Sequence, residues 1–171
     1  MRKYIFILVI IIALPLYANE NDKSGSTLIK VGQQVPKFSF VTISGDSVNI
    51  RNVEAEIILL NFFATWCPPC LQEMPKLESD IWEKYKDRGL KVYCIGREHT
   101  KSELKKFAAK NNYSLPMVPD PERQIYAKFA EKYIPRNIII DKEGKIILQE
   151  IGFNKEKYKT LKETIIKNLQ N

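Results

Sequence analysis

Residues 57–70 read IILLNFFATWCPPC, and the place of the two cysteines in that stretch decides how the rest of the chain is read. IILLNFF (57–63) is a nearly continuous apolar run, the pattern of a strand covered on both faces. Cys67 and Cys70 follow it at once. Beyond them Leu71, Met74, Leu77, Ile81 and Tyr85 recur near helical spacing, which predicts a helix over 68–86 that Pro75 should kink. The pair therefore sits where a buried strand hands over to a helix.

Three chemistries compete for such a pair. A structural zinc site needs four ligands. Cys94 and His99 would bring the count to four, but Cys94 lies inside LKVYCIG (90–96), which reads as another buried strand. No metal and no cofactor are expected. A purely structural disulfide between residues three apart would close a very small loop and constrain the unfolded chain little.

Thiol–disulfide exchange fits the context better. At the start of a helix Cys67 faces unpaired backbone N–H groups and the positive end of the helix dipole, and both favour thiolate. A free thiol with a pKa of about 8.5 is only a few per cent ionised at pH 7, and lowering it to about 7 makes half of it reactive. Pro68 suits the first helical turn because it forfeits no intrahelical hydrogen bond there. Cys70, one turn on, can attack the mixed disulfide and release a substrate.

The remainder of the 171 residues leaves room for one domain with tails. Arg2 and Lys3 precede an apolar run, YIFILVIIIAL (4–14), with Pro15 and Ala18 beyond it. That is the layout of a secretory signal, 1–18, too short for a comfortable span of about 20 residues. Leu16 is an imperfect match three positions before a cut after Ala18, so an uncleaved anchor is the alternative. Residues 19–30 read as a polar leader or linker, and the domain as 31–171.

Within it, FSFVTI (38–43) and the run around Val48–Ile50 are strand-like and joined by Ser44-Gly45-Asp46. NIIID (137–141) and KIILQEI (145–151) form a second hairpin signal. Helices are expected over 102–112, 121–133 and from Lys155. This order gives an α/β fold, a mixed central sheet with helices on both faces. The net charge of +7 comes mostly from lysines interleaved with glutamates. With no arginine cluster among exposed aromatics, nucleic-acid binding is not expected.

NFFATWCPPCLQEMP resembles the active-site segment of thioredoxin-like proteins, in particular the exported TlpA-like thiol-disulfide oxidoreductases. YIPRNIIIDKEGKI is similar to that family's cis-proline loop and hairpin. VGQQVPKFSFVTISGDSVNI resembles the N-terminal β-hairpin that distinguishes this subgroup from plain thioredoxin. The resemblance implies a thioredoxin fold with an added N-terminal hairpin, Cys67 as exposed nucleophile and Cys70 as resolving thiol. It also implies that Pro135 is cis beside them, that Ile134 offers its backbone to an extended substrate, and that Trp66 flanks the groove. Pro68 and Pro69 would tune the pair.

The family pattern is broken in two places. Where thioredoxin carries a buried Asp six residues before the first cysteine, this chain has Asn61, which cannot titrate. Some relatives place Glu directly after the nucleophile, and here that residue is Pro68. The proton acceptor for Cys70 is therefore not identified by sequence, and Glu98 is no more than one candidate. Cys94 is read as a buried inert thiol. His99 is read as an exposed loop or cap residue able to carry protons.

The expectation is an exported oxidoreductase of the bacterial periplasm or cell envelope that reduces disulfides of other proteins. A membrane thiol donor would recharge it, and membrane contact would be limited to the signal or anchor. The resemblance favours reductase over oxidase. A thiol peroxidase, or a non-enzymatic binding module using the groove beside Pro135, are the competing readings.

Overall fold

The computed structural model describes residues 25–170, so the expected signal at 1–18 lies outside the described residues. Strand β3 (Ile57–Phe63) holds the middle of a five-stranded sheet, and all seven of its residues are buried. It pairs in parallel with β4 (Leu90–Arg97) and antiparallel with β6 (Arg136–Asp141). Outside these lie β5 (Met117–Asp120), parallel to β4, and β7 (Ile146–Ile151), antiparallel to β6. A separate antiparallel hairpin, β1 (Ser39–Val41) and β2 (Ser47–Asn49), precedes the sheet.

Alternation along β3 divides the core into two layers. Ile57, Leu59 and Phe63 face one cluster, while Ile58, Leu60 and Phe62 face the other. The first cluster is roofed by α1 (Pro68–Lys76), α2 (Lys101–Asn111) and α3 (Lys155–Leu169), through Met74, Leu104, Ala108, Leu161 and Ile165. The second is closed by Phe38 and Phe40 of the hairpin region and by Ile125, Tyr126 and Phe129. Helical turns thus lie on both faces, but the second face carries only short 3-10 turns.

That difference corrects the helix expected over 121–133, which is reduced to a 3-10 turn at Tyr126–Lys128. The cause is Asp120. Its carboxylate is buried and accepts the backbone N–H groups of Ile125 at 3.0 Å and Tyr126 at 2.8 Å. Arg123 adopts a left-handed φ of 59°, which interrupts any right-handed helix. Asp120 also ends β5, a strand the sequence reading missed. Pro119 is tolerated there because β5 is an edge.

The helix expected over 68–86 forms in three pieces. Regular α1 ends at Lys76, π-helical turns follow over Leu77–Trp82, and a last α-turn covers Glu83–Tyr85. Pro75 lies inside α1. It has no N–H to give the Leu71 carbonyl, and wider turns downstream absorb the displaced register. The end of the expected leader belongs to the domain. Thr27 bridges to Ala130, Leu28 donates its N–H to the Phe129 carbonyl at 2.9 Å, and Ile29 is buried. Among the described residues no helix is long and apolar enough to cross a membrane.

Phe129 tests the second layer. It is fully buried, with ring centroids 5.6 Å from Phe38 and 5.1 Å from Phe62. Phe129→Ala should lower unfolding stability by about 3–5 kcal/mol in urea titrations. A change within about 0.5 kcal/mol, the usual range for surface substitutions, would show that the segment is not core.

Candidate active site

The end of β3 delivers the chain through a tight turn, in which the Cys67 N–H donates to the Ala64 carbonyl at 3.2 Å. Cys67 then caps α1 with extended backbone angles of φ −94° and ψ 106°. Its sulfur accepts the Cys70 N–H at 3.3 Å. Pro68 and Pro69 fill the first two helical positions, where absent N–H groups cost nothing. The Cys70 N–H is thereby aimed at the sulfur at the helix N-cap, where unpaired N–H groups and the helix dipole favour negative charge.

Cys67 and Cys70 are joined as a disulfide with Cα atoms 5.3 Å apart. Cys67 was expected to be exposed, yet only 4% of its surface is accessible, against none for Cys70. Both cysteines are thus buried, and the exposed position expected for Cys67 is not what the structure has. The cover comes from the first core cluster, which contains both cysteines.

Trp66 is 57% exposed, and the Arg97 guanidinium lies 5.6 Å from its ring centre. Arg97 also stacks on Tyr126 at 5.2 Å, so the indole is backed by a fixed cation–π partner. The Ile134–Pro135 peptide is cis. Ile134 packs against the cluster that holds both cysteines, and its N–H has no partner among the described residues.

Behind Cys70 is a group that sequence reasoning missed. Glu73 is three residues further along α1, on the same helical face, and only 2% exposed. Asn61 Nδ2 donates to its Oε2 at 2.9 Å and Asn137 Nδ2 to its Oε1 at 2.7 Å, while Asn61 also donates to Asn137 Oδ1 at 2.7 Å. Burial pushes the Glu73 carboxyl up to about 7, against the opposing pull of the two amides. The available signal was the phase of α1. Leu71, assigned to the buried stripe, is 40% exposed, and Glu73 takes an inward position instead.

Cys94 sits opposite Asn61 in the β3–β4 register, fully buried and unbonded. Burial, reinforced by the nearby Glu73, drives its thiol far above the ordinary range. His99 differs from expectation. It is 5% exposed, and its Nε2 accepts the Thr65 N–H at 2.9 Å, which puts the proton of a neutral ring on Nδ1. Burial lowers its pKa. Glu98 is drawn to Arg97 at 3.5 Å and Arg123 at 3.7 Å, on the protein surface rather than behind Cys70. No cluster of three or more metal-capable side chains occurs among the described residues.

A disulfide-bonded cysteine pair capping the helix after the central strand, with a cis Ile134–Pro135 bond next to the same core cluster, defines a thioredoxin-fold protein with a redox-active site. The chain belongs to the AhpC/TSA family, whose model matches residues 31–149. It is 33% identical over 126 residues to the thioredoxin-like protein YneN of Bacillus subtilis, covering 72% of this chain and 71% of that protein. It is 27% identical over 124 residues to the thiol-disulfide oxidoreductase ResA of Bacillus thuringiensis, with the same coverage of 72% and 71%. Among solved structures, a Bacteroides thetaiotaomicron protein described as a candidate disulfide isomerase superposes with a TM-score of 0.81. It is 31% identical and covers 85% of this chain and 94% of that one.

The Glu73 environment predicts an unusual pH dependence. The folded carboxyl, at about 7, holds its proton more tightly than the unfolded one at its ordinary 4.5. Stability from this group is therefore present below pH 4.5 and is lost as pH rises through 7. In the oxidised protein, urea midpoints should fall across that window by a loss on the order of 2–3 kcal/mol, and Glu73→Gln should flatten the slope. An unchanged slope in E73Q would place the titrating group elsewhere.

Proposed function

We propose that this thiol-disulfide oxidoreductase works as a reductant of disulfides in other proteins. The disulfide between Cys67 and Cys70 at the N-cap of α1 carries the reading. In the dithiol form the Cys67 thiolate attacks a client disulfide, forming a mixed disulfide and releasing one client sulfur as a thiolate. The Cys70 thiolate then attacks the Cys67 sulfur and releases the second client thiolate. Two electrons have passed to the client, and a thiol donor returns the pair to the dithiol.

Glu73 is placed to take the Cys70 proton. It lies one turn behind that sulfur, and at about 7 it is part neutral and part charged near neutrality, the condition for an efficient general base. Ile134, with its free N–H, and Pro135 support strand addition by an extended client beside Cys67. Trp66 flanks that contact. Export by the segment at 1–18, residence in the periplasm or cell envelope, and a membrane-bound donor belong to the same proposal. They rest on the sequence of the N-terminal segment and on the resemblance. The Cys67–Cys70 disulfide does not separate this reading from a thiol peroxidase, since a sulfenic acid on Cys67 would condense with the Cys70 thiol to the same bond with loss of water. Rapid peroxide consumption by the dithiol form would favour the peroxidase.

Trapping tests the mechanism. Cys70→Ser should accumulate mixed disulfides through Cys67 in cells, visible as bands that collapse on reduction and identifiable by mass spectrometry. Cys67→Ser should accumulate few or none. Equal adducts in both variants would reverse the assignment of attacker and resolver. A redox titration reads direction, and a potential well below that of the client disulfides is expected, since about 30 mV changes the equilibrium tenfold.

Kinetics test Glu73. In E73Q the release of the mixed disulfide should slow by roughly 10²–10⁴-fold near neutral pH, the span of general-base contributions, while the first attack by Cys67 changes less. Equal slowing of both steps would assign Glu73 a structural role only.

A further inference from the structure

A groove of about 460 Å³ opens beside the dithiol on its α2 side, and neither the exchange chemistry nor the cis-proline loop uses it. Thr65 and Leu71, which bracket Cys67 and Cys70 in sequence, form one wall, while Phe107, Lys106 and Lys110 of α2 form the other, with His99 between. Leu71 is the residue whose N–H bonds the Cys67 carbonyl at 3.1 Å, and it presents an apolar side chain 40% exposed. Phe107 is anchored by Phe63 and Tyr113, each 5.7 Å away between ring centroids. The apolar part of the groove is therefore contiguous with the site, and Phe107 is held in place by its ring contacts.

Its charge is unbalanced. Lys106 and Lys110 stand four residues apart on one face of α2, both exposed, and neither has an ion-pair partner among the described residues. Like charges at that spacing repel and weaken a helix. The lining is left with one net positive charge, since Lys106 lies near the charged carboxylate of Glu103. Its Oε2 accepts the N–H and the hydroxyl of Thr100 at 2.7 Å each, closing the capping box of α2. His99 adds no charge when neutral, because its Nε2 is occupied by the Thr65 N–H.

We propose that this groove is a client subsite selecting an acidic polypeptide segment next to the client's disulfide cysteine. An apolar side chain rests on Leu71 and Phe107, and flanking carboxylates sit against Lys106 and Lys110. This rests on the client-reductase reading and deepens it. The occupant is acidic because an anion relieves the lysine repulsion, whereas a basic segment adds to it. The selectivity is mainly one of encounter and register, as complementary charge typically acts.

The test uses two synthetic peptides, each a disulfide-linked dimer, identical except that glutamates or lysines flank the cysteine. The reading is the ratio of kcat/KM for the acidic over the basic peptide within one protein, which cancels any common loss of activity. The wild-type ratio should be roughly tenfold or more at low salt and shrink as salt rises. K106E/K110E should bring the ratio to one or below, and K106Q/K110Q should fall between. K159E/K167E, an equal charge change on α3, should keep most of the wild-type preference.

A wild-type ratio near one, or equal loss in the α3 variant, would overturn the groove and leave general surface charge as the cause. Neutral hydroxyethyl disulfide separates this from the parent reading. If the wild type reduces it but shows no peptide preference, only the subsite fails. If the wild type reduces neither, the client-reductase reading falls and takes the subsite with it.

Discussion

Strand β3 has no surface to spare. Its seven residues are buried, both edges are paired, and alternate side chains serve two separate cores. A strand in that position cannot slide, since a slip of one residue would exchange the two sets of side chains between layers. The turn from Ala64 to Cys67 inherits that fixity, and with it the position of the dithiol. A reactive pair on a free loop would need ordering at every encounter. Here the order is set once, by folding.

The same strand carries the polar element of the site inward. Asn61 is the single polar residue in IILLNFF, and it is the residue that bonds Glu73 and Asn137. Burying a carboxylate is costly unless partners are provided. The two amides lower that cost without supplying a positive charge, which is why the carboxyl settles near neutrality rather than remaining a firm anion. Where thioredoxin's strand carries an aspartate this chain has Asn61, and the carboxyl buried beside it, that of Glu73, comes from the helix that begins at the cysteines.

Much of this was legible in the residues. The apolar run of β3, the CPPC pair, the two hairpins and α3 each carry a strong local pattern, and the structure has them within a residue or two. What escaped were features set by tertiary partners. The segment after Asp120 has helical spacing, but a buried carboxylate draws its N–H groups into tight turns. β5 is four residues long and contains a proline, and only its position at the sheet edge makes that tolerable. His99 looked like a surface residue because its partner, the Thr65 N–H, is 34 positions away in sequence. Glu73 was missed because Leu71 was placed on the buried stripe, whereas α1 turns Cys70, Glu73 and Met74 inward.

Arg136 has a consequence for anything joined to the front of the domain. It directly follows the cis Pro135 and is fully buried, and its guanidinium donates to Thr27 Oγ1 at 2.9 Å and Ser26 Oγ at 3.4 Å. In register it lies opposite Phe62, at the end of the sheet from which the cysteines emerge. The chain therefore enters the domain beside its working end. A tag, leash or fused partner placed upstream of Ser26 starts near the end of the sheet that carries the Cys67–Cys70 pair, and a bulky one would crowd that pair.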